Sequence, residues 1–329
     1  MNRFVEHIRR LWPRELEGSG APLETRIGLG VLLPLPFVAW ALVALARHTF
    51  RGEHVAFLAV VPLLAYATPA SKKLFVGLYP VGLLGLVYDS MRFVKNWGLT
   101  EGRVHDCDLR AIDMALFGVD LGGGVRGTVH DWLQSHASAP LDVVCAVPYA
   151  TFIYAAIGFA GFLYVREYPA MQRFAWTFLA LNLAGFVTYH VYPAAPPWYF
   201  HAHGCAVDLA SAASEGPNLA RVDKMLGVPY FAGFYGRASD VFGAVPSLHV
   251  AYPLLICLLG WRHFGVAMRA ASAAFFALMC FSAVYLDHHW IVDVLVGIVY
   301  TLTADAVGRW VTRRRNAQAV APVAALESS

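Results

Sequence analysis

Residues 266–310 read VAMRAASAAFFALMCFSAVYLDHHWIVDVLVGIVYTLTADAVGRW. Two apolar runs, Val266 to Leu286 and Trp290 to Trp310, each supply the roughly 20 residues that a membrane-spanning helix needs. Between them stand Asp287, His288 and His289, and one turn further on comes Asp293. Ionisable side chains at membrane depth are costly and mark function, so this hairpin predicts both the fold and the place of the chemistry.

The same pattern recurs upstream. Apolar segments predict spans near Ile27 to Ala46, His54 to Thr68, Lys73 to Val94, Leu141 to Val165, Arg173 to Tyr192 and Pro246 to Trp261, about eight with the closing pair. The chain of 329 residues is 58% hydrophobic and 14% charged, whereas a soluble domain carries about 45–50% apolar and about 25% charged residues. The expected fold is an all-α polytopic membrane bundle. Residues 1–26 read as a cytoplasmic amino-terminal segment, 27–310 as a single membrane domain, and 311–329 as a basic, then disordered, cytoplasmic tail. The net charge of +3 is small and its basic residues are dispersed, which leaves nucleic-acid binding without a footing.

Two connecting segments are long, residues 95–140 and 193–245. With the amino terminus in the cytoplasm, most Lys and Arg of the short loops and termini lie inside, so both long segments face outward, toward a periplasm or lumen. The first carries amphipathic stretches around IDMALFG and VRGTVHDWLQ that suggest helices lying at the interface. The five cysteines form no CxxC pair or metal-ligand spacing, and three lie in apolar runs. Cys107 and Cys205 fall in polar loops, and pairing is open to them if those loops share an oxidising side.

Two outward stretches combine into a site, GAVPSLHV at 243–250 and YLDHHWIVDVLVG at 285–297. His289 and Asp293 are four apart, which on a helix brings them onto one face. A carboxylate there fixes the ring tautomer and leaves the other nitrogen as a nucleophile, the arrangement that phosphoryl transfer through phosphohistidine requires. A departing alkoxide needs a proton, and His249, at the outer start of its own helix, is the candidate acid. Ser247, with the backbone amides around it, stands at a helix amino terminus, which favours a phosphate.

GAVPSLH resembles the second signature of the type 2 phosphatidic acid phosphatase superfamily, with Pro246, Ser247, Leu248 and His249 in place of P-S-G-H. Its third signature, S-R-x5-H-x3-D, is matched at Ser282, His289 and Asp293, but Ala283 replaces the arginine, and the first, K-x6-R-P, is missing. Those departures are similar to the branch of the fungal inositol phosphorylceramide synthases, with A-P-P-W-Y at Ala195 to Tyr199, P-S-L-H at 246–249 and H-H-W-x-V-D at 288–293. The resemblance covers about residues 140–310. It implies a six-helix catalytic core and an enzyme that moves a phosphorylated head group, inositol phosphate among the options, from a phospholipid donor to a lipid hydroxyl such as ceramide. It also implies His289 as nucleophile, Asp293 as its partner and His249 as proton donor, with no metal; the residues themselves lead to no cofactor and no obligate protein partner.

In place of the missing basic clamp, Arg237, Lys224 and Arg92 are candidates to hold phosphate, and Asp89 and Asp240 to hydrogen-bond a polyol. Trp198 and Tyr199 read as anchors of their loop at the bilayer surface, with lipid-tail contact second. His288 reads as an interfacial neighbour pointing away from His289, His201 and His203 as parts of a solvated loop, and Gly122 to Gly124 as a flexible turn. With water as acceptor, the same residues would make a lipid phosphate or prenyl pyrophosphate phosphatase. A histidine-bearing transporter would place charged pairs near the bilayer midplane and repeat broken helices, whereas here the ionisable groups gather at one end.

Overall fold

The computed structural model describes residues 32–94, 97–236 and 241–327. Among the described residues, thirteen α-helices, one 3-10 turn (Glu101–Arg103) and one hairpin of two two-residue strands make up the regular structure. Helices α1 (Leu35–Ala46), α2 (Gly52–Tyr66) and α3 (Pro69–Val94) come first, followed by α4 (Cys107–Phe117) and α5 (Val129–Ser135) in the first long connection. Helices α6 (Ala139–Arg166) and α7 (Tyr168–Val191) precede the second long connection, which holds α8 (Pro197–His203), α9 (Gly216–Leu226) and α10 (Tyr230–Tyr235). The chain closes with α11 (Leu248–Gly260), α12 (Val266–Tyr285) and α13 (Ile291–Glu327). Five helices, α3, α6, α7, α12 and α13, are long and apolar enough to cross a membrane, and three shorter apolar helices accompany them in α1, α2 and α11. The protein is thus an all-α integral membrane protein.

The contacts divide the chain into two compact units. One holds residues 32–89, 167–179 and the end of α13; its core gathers Phe37, Val61, Phe75 and Leu86, with Phe37 edge-on to Tyr79 at 5.8 Å. The other holds residues 90–166 and 180–308. There α11 packs against α12 and α6, and the core runs through Cys145, Phe152, Val250, Met279 and Ala283. In lipid such helices associate by close packing and internal hydrogen bonds rather than by exclusion of water. Gly297 shows how close: a Cβ there would meet the Ser247 carbonyl oxygen at 2.5 Å, so α13 lies directly on the start of α11. Pro148 and Pro253 lie inside α6 and α11.

The structure refines one sequence reading and overturns another. Gly122 to Gly124 form the tip of a hairpin pairing Val119–Asp120 with Arg126–Gly127, all three at positive φ that glycine adopts without a steric penalty. The alanine-rich stretch after Arg315, expected to be disordered, continues α13 as helix to Glu327, in line with alanine's high helix propensity. Residues 1–31, including the start of the first expected span, lie outside the described residues.

The A-P-P-W-Y stretch also differs from its expected role. Ala194 bridges in parallel to His105 on one side and to Gly243 on the other. The Ala195 carbonyl accepts the Trp290 indole N–H at 2.9 Å, and the Trp198 amide donates to the Asp287 carbonyl at 2.9 Å. Tyr199 is fully buried, with its hydroxyl bonded to the Asp208 backbone. Tyr199 is therefore not a bilayer anchor. The stretch ties both histidine-bearing segments to the first long connection, and the Cys107–Cys205 disulfide closes the same region.

Candidate active site

His249 is the second residue of α11, whose N-cap Ser247 accepts from the Val250 amide. The Ser247 amide donates to the Asp293 carbonyl at 3.1 Å, which couples that cap to the first turn of α13. His289 lies in the turn between α12 and α13, its amide donating to the Ala283 carbonyl at 3.0 Å. Ser247, His249, His289 and Asp293 thus come together from two segments 40 residues apart.

Hydrogen-bond partners assign the protons. The Ala244 carbonyl can only accept, so His289 Nδ1–H donates to it at 2.9 Å and Nε2 keeps its lone pair. His249 Nδ1–H then donates to that nitrogen at 2.9 Å, and the Tyr235 hydroxyl donates to His249 Nε2 at 3.1 Å. One His289 nitrogen is therefore held basic and directed at the second histidine, inside a wall where the His289 side chain is 6% exposed.

The carboxylate contributes differently from the expected direct hydrogen bond. Asp293 Oδ2 accepts the Trp290 amide at 2.8 Å and stands 3.7 Å from His289 Nδ1, while Oδ1 is buried with no hydrogen-bond partner in the chain. The reason is local: residues 286–290 form a turn, with Asp287 at φ 68°, and α13 begins only at Ile291. His289 and Asp293 are not two positions on one helix face. The same turn corrects His288, which is buried inside the site rather than interfacial. Its Nε2–H donates to the Glu215 carbonyl at 2.7 Å, its ring lies 4.9 Å from Tyr235, and burial pushes its pKa down to about 4.

Beside this pair lies a second polar cluster. His201 donates from Nδ1 to Asp287 at 2.6 Å and from Nε2 to Asp131 at 3.1 Å. Burial alone would lower its pKa, but the two carboxylates outweigh that and hold it up at about 9. The hydrogen bond from His201 holds the Asp131 carboxyl well below the usual range. His201 is thus part of an ion-paired bridge, not of a solvated loop. Asp131, Gln134, His201, Pro217 and Asp287 line a cavity of about 380 Å³. Among the described residues no group of three His, Cys, Asp or Glu side chains is arranged to hold a metal ion.

Lys224 is exposed at the end of α9. Arg92 lies in the last turn of α3 with its guanidinium 4.9 Å from the Phe93 ring centre. Asp89 belongs to the other unit, where Trp40, Arg51 and His54 all contact its carboxylate. Arg237 and Asp240 lie outside the described residues. The residues that sequence reasoning missed are aromatic, Tyr149 and Tyr235, and one is a backbone group, the Ala244 carbonyl.

A buried, tautomer-fixed histidine pair at the ends of membrane helices defines a membrane-embedded group-transfer enzyme of the phosphotransferase and phosphatase class. Residues 114–307 match the model of the PAP2 superfamily, and the chain belongs to that family. It is 35% identical over 252 residues, 75% of this chain and 81% of the relative, to the phosphoinositol dihydroceramide synthase of Bacteroides thetaiotaomicron. The inositol phosphorylceramide synthase of Candida albicans is 29% identical over 253 residues, 73% of this chain and 50% of that protein. The catalytic subunit of the Saccharomyces cerevisiae inositol phosphorylceramide synthase is 28% identical over 245 residues, 71% of this chain and 56% of its own length. The chain thus spans about half the length of the fungal relatives. These relatives are named as synthases, which gives the transporter reading no support. No solved structure matches the chain.

Proposed function

We propose that this enzyme transfers the phosphoinositol head group of a phospholipid to the hydroxyl of a ceramide-type lipid through a phosphohistidine at His289. The observation that carries the mechanism is the His249–His289 hydrogen bond, with the nucleophilic lone pair fixed by Ala244. The choice of donor and acceptor rests on the names of the relatives.

The donor exchanges the His249–His289 bond for one from His249 to the leaving oxygen. On donor binding His249 takes up a second proton from water on Nε2, with the Tyr235 hydroxyl turned to accept it. The lone pair of His289 Nε2 then attacks phosphorus, the bond to the diacylglycerol oxygen breaks, and His249 Nδ1 gives that oxygen its proton. His289 now carries phosphorus on Nε2 and hydrogen on Nδ1, and its positive charge faces the Ala244 carbonyl and the Asp293 carboxylate. In the second half, neutral His249 takes the proton of the acceptor hydroxyl, whose oxygen attacks phosphorus and releases His289 as a neutral imidazole. Ser247 and the first amides of α11, which have no partner within the helix, favour the phosphate oxygens. A nearly buried nucleophile among aromatic rings favours a lipid hydroxyl over water as acceptor.

The disulfide supports an outward-facing site, because such bonds persist in oxidising compartments and Cys107 lies beside the His105 bridge to this region. The test is purified protein in lipid with labelled phosphatidylinositol, with and without ceramide. A ceramide-dependent inositol phospholipid that vanishes in His289→Ala supports the proposal, whereas free inositol phosphate as sole product would make the enzyme a hydrolase.

A further inference from the structure

Tyr149 is 2% exposed on α6, and its hydroxyl is buried without a hydrogen-bond partner in the chain. Other tyrosines of this unit are satisfied: Tyr235 by His249, Tyr285 by Asp142 and Tyr199 by the Asp208 backbone. Buried tyrosine hydroxyls ordinarily find partners, and an orphan in a native core requires an explanation. The position of Tyr149 supplies one. Its ring stacks on His249 at 4.6 Å between centres and 15° between planes, and lies 5.0 Å from His288 and 6.3 Å from Tyr235. The Tyr149 ring, and with it the orphan hydroxyl, therefore borders the histidine pair. The arginine of the S-R signature is also missing here, since Ala283 occupies its place in the same packed core as Tyr149.

We infer that the Tyr149 hydroxyl is a phosphate ligand, donating to a non-bridging oxygen of the phosphodiester during transfer. This rests on the phosphoryl-transfer reading above and adds a binding residue to it. A neutral donor suits such a site, because a hydrogen bond to an ionised acceptor is roughly twice as strong as one between neutral groups and is stronger still in a low-dielectric interior. The stack on His249 holds the donor at a fixed place relative to the acid–base group. Charge spreads over the equatorial oxygens in the transition state, where a preorganised donor contributes most.

The test is Tyr149→Phe in the full-length protein in lipid, assayed for phosphatidylinositol-to-ceramide transfer beside His289→Ala and Tyr235→Phe, with unfolding temperatures for each. The expected loss in Tyr149→Phe is about 10²-fold in turnover, with an unfolding temperature equal to or above that of the parent, because only an unsatisfied hydroxyl is removed. Tyr235→Phe, which breaks an existing bond to His249, loses stability as well and shifts the pH profile. Parental turnover in Tyr149→Phe overturns the assignment, and so does a loss matched by a fall in unfolding temperature, which would mark a structural hydroxyl. Turnover that survives in His289→Ala, or an inert parent, would instead sink the transfer reading on which the assignment rests.

Discussion

The tautomer of His289 depends on one carbonyl. Since Ala244 takes the Nδ1 proton, the role proposed for Asp293, 3.7 Å from that nitrogen, is that of a charge rather than of a hydrogen-bond acceptor of the ring. Asp293→Asn keeps an oxygen to cap the Trp290 amide but removes the negative charge opposite the phosphohistidine. Transfer is expected to fall by up to ~10⁴-fold, the loss seen when the supporting carboxylate of a catalytic histidine is neutralised, with little change in unfolding temperature. His201 gives a prediction in pH. Its folded pKa of about 9 exceeds the ordinary 6.5, so its contribution to stability is complete below about 6.5 and fades as pH rises through 9. The unfolding temperature should drop across that window, and in His201→Gln that alkaline limb should flatten. At this scale the sequence revealed the charged chemistry and little else. The spacing of Pro246 to His249 and of His289 to Asp293 carried a readable pattern. Tyr149 and Tyr235 had no local signal among 15 tyrosines, and a backbone acceptor such as Ala244 is defined only by tertiary contact.

Among the elements, apolar runs located the helices well because length and hydropathy in a bilayer leave few alternatives. They failed where the chain stops being helical. Helical periodicity across residues 285–293 turned His288 outward, while the real turn, with its left-handed Asp287, brings it in. The A-P-P-W-Y stretch read as an interfacial anchor because its composition suits one, yet its backbone holds the His289-bearing turn through Trp290 and Asp287. Gly297 is the element-scale test of how the histidines are brought together. Gly297→Ala puts a methyl group against the Ser247 carbonyl, and overpacking of this kind costs about 1–3 kcal/mol. The expected outcome is a lower unfolding temperature and at least a tenfold loss of transfer, since the displaced oxygen belongs to the cap that positions His249. Full activity in a stable Gly297→Ala protein would show that the α11–α13 contact does not set the site.

For the molecule as a whole, the disulfide links the first long connection to the second across a sequence separation of 98 residues. Reduction, or Cys107→Ser, should lower stability by about 2–4 kcal/mol and alter migration on a non-reducing gel, and a thiol probe that cannot cross the membrane should label the freed Cys205 from the outer face. The sequence left this pairing open, because separation along the chain carries no distance. The central claim is that phosphorus passes through His289. It is tested most directly by mixing the enzyme with inositol-labelled phosphatidylinositol, quenching within one turnover and mapping the label on peptides. The account predicts an acid-labile inositol phosphate adduct on the peptide bearing His289, absent from His289→Ala and discharged by ceramide. An adduct on another residue, or ceramide-dependent product at the parental rate from His289→Ala with no adduct, would contradict it.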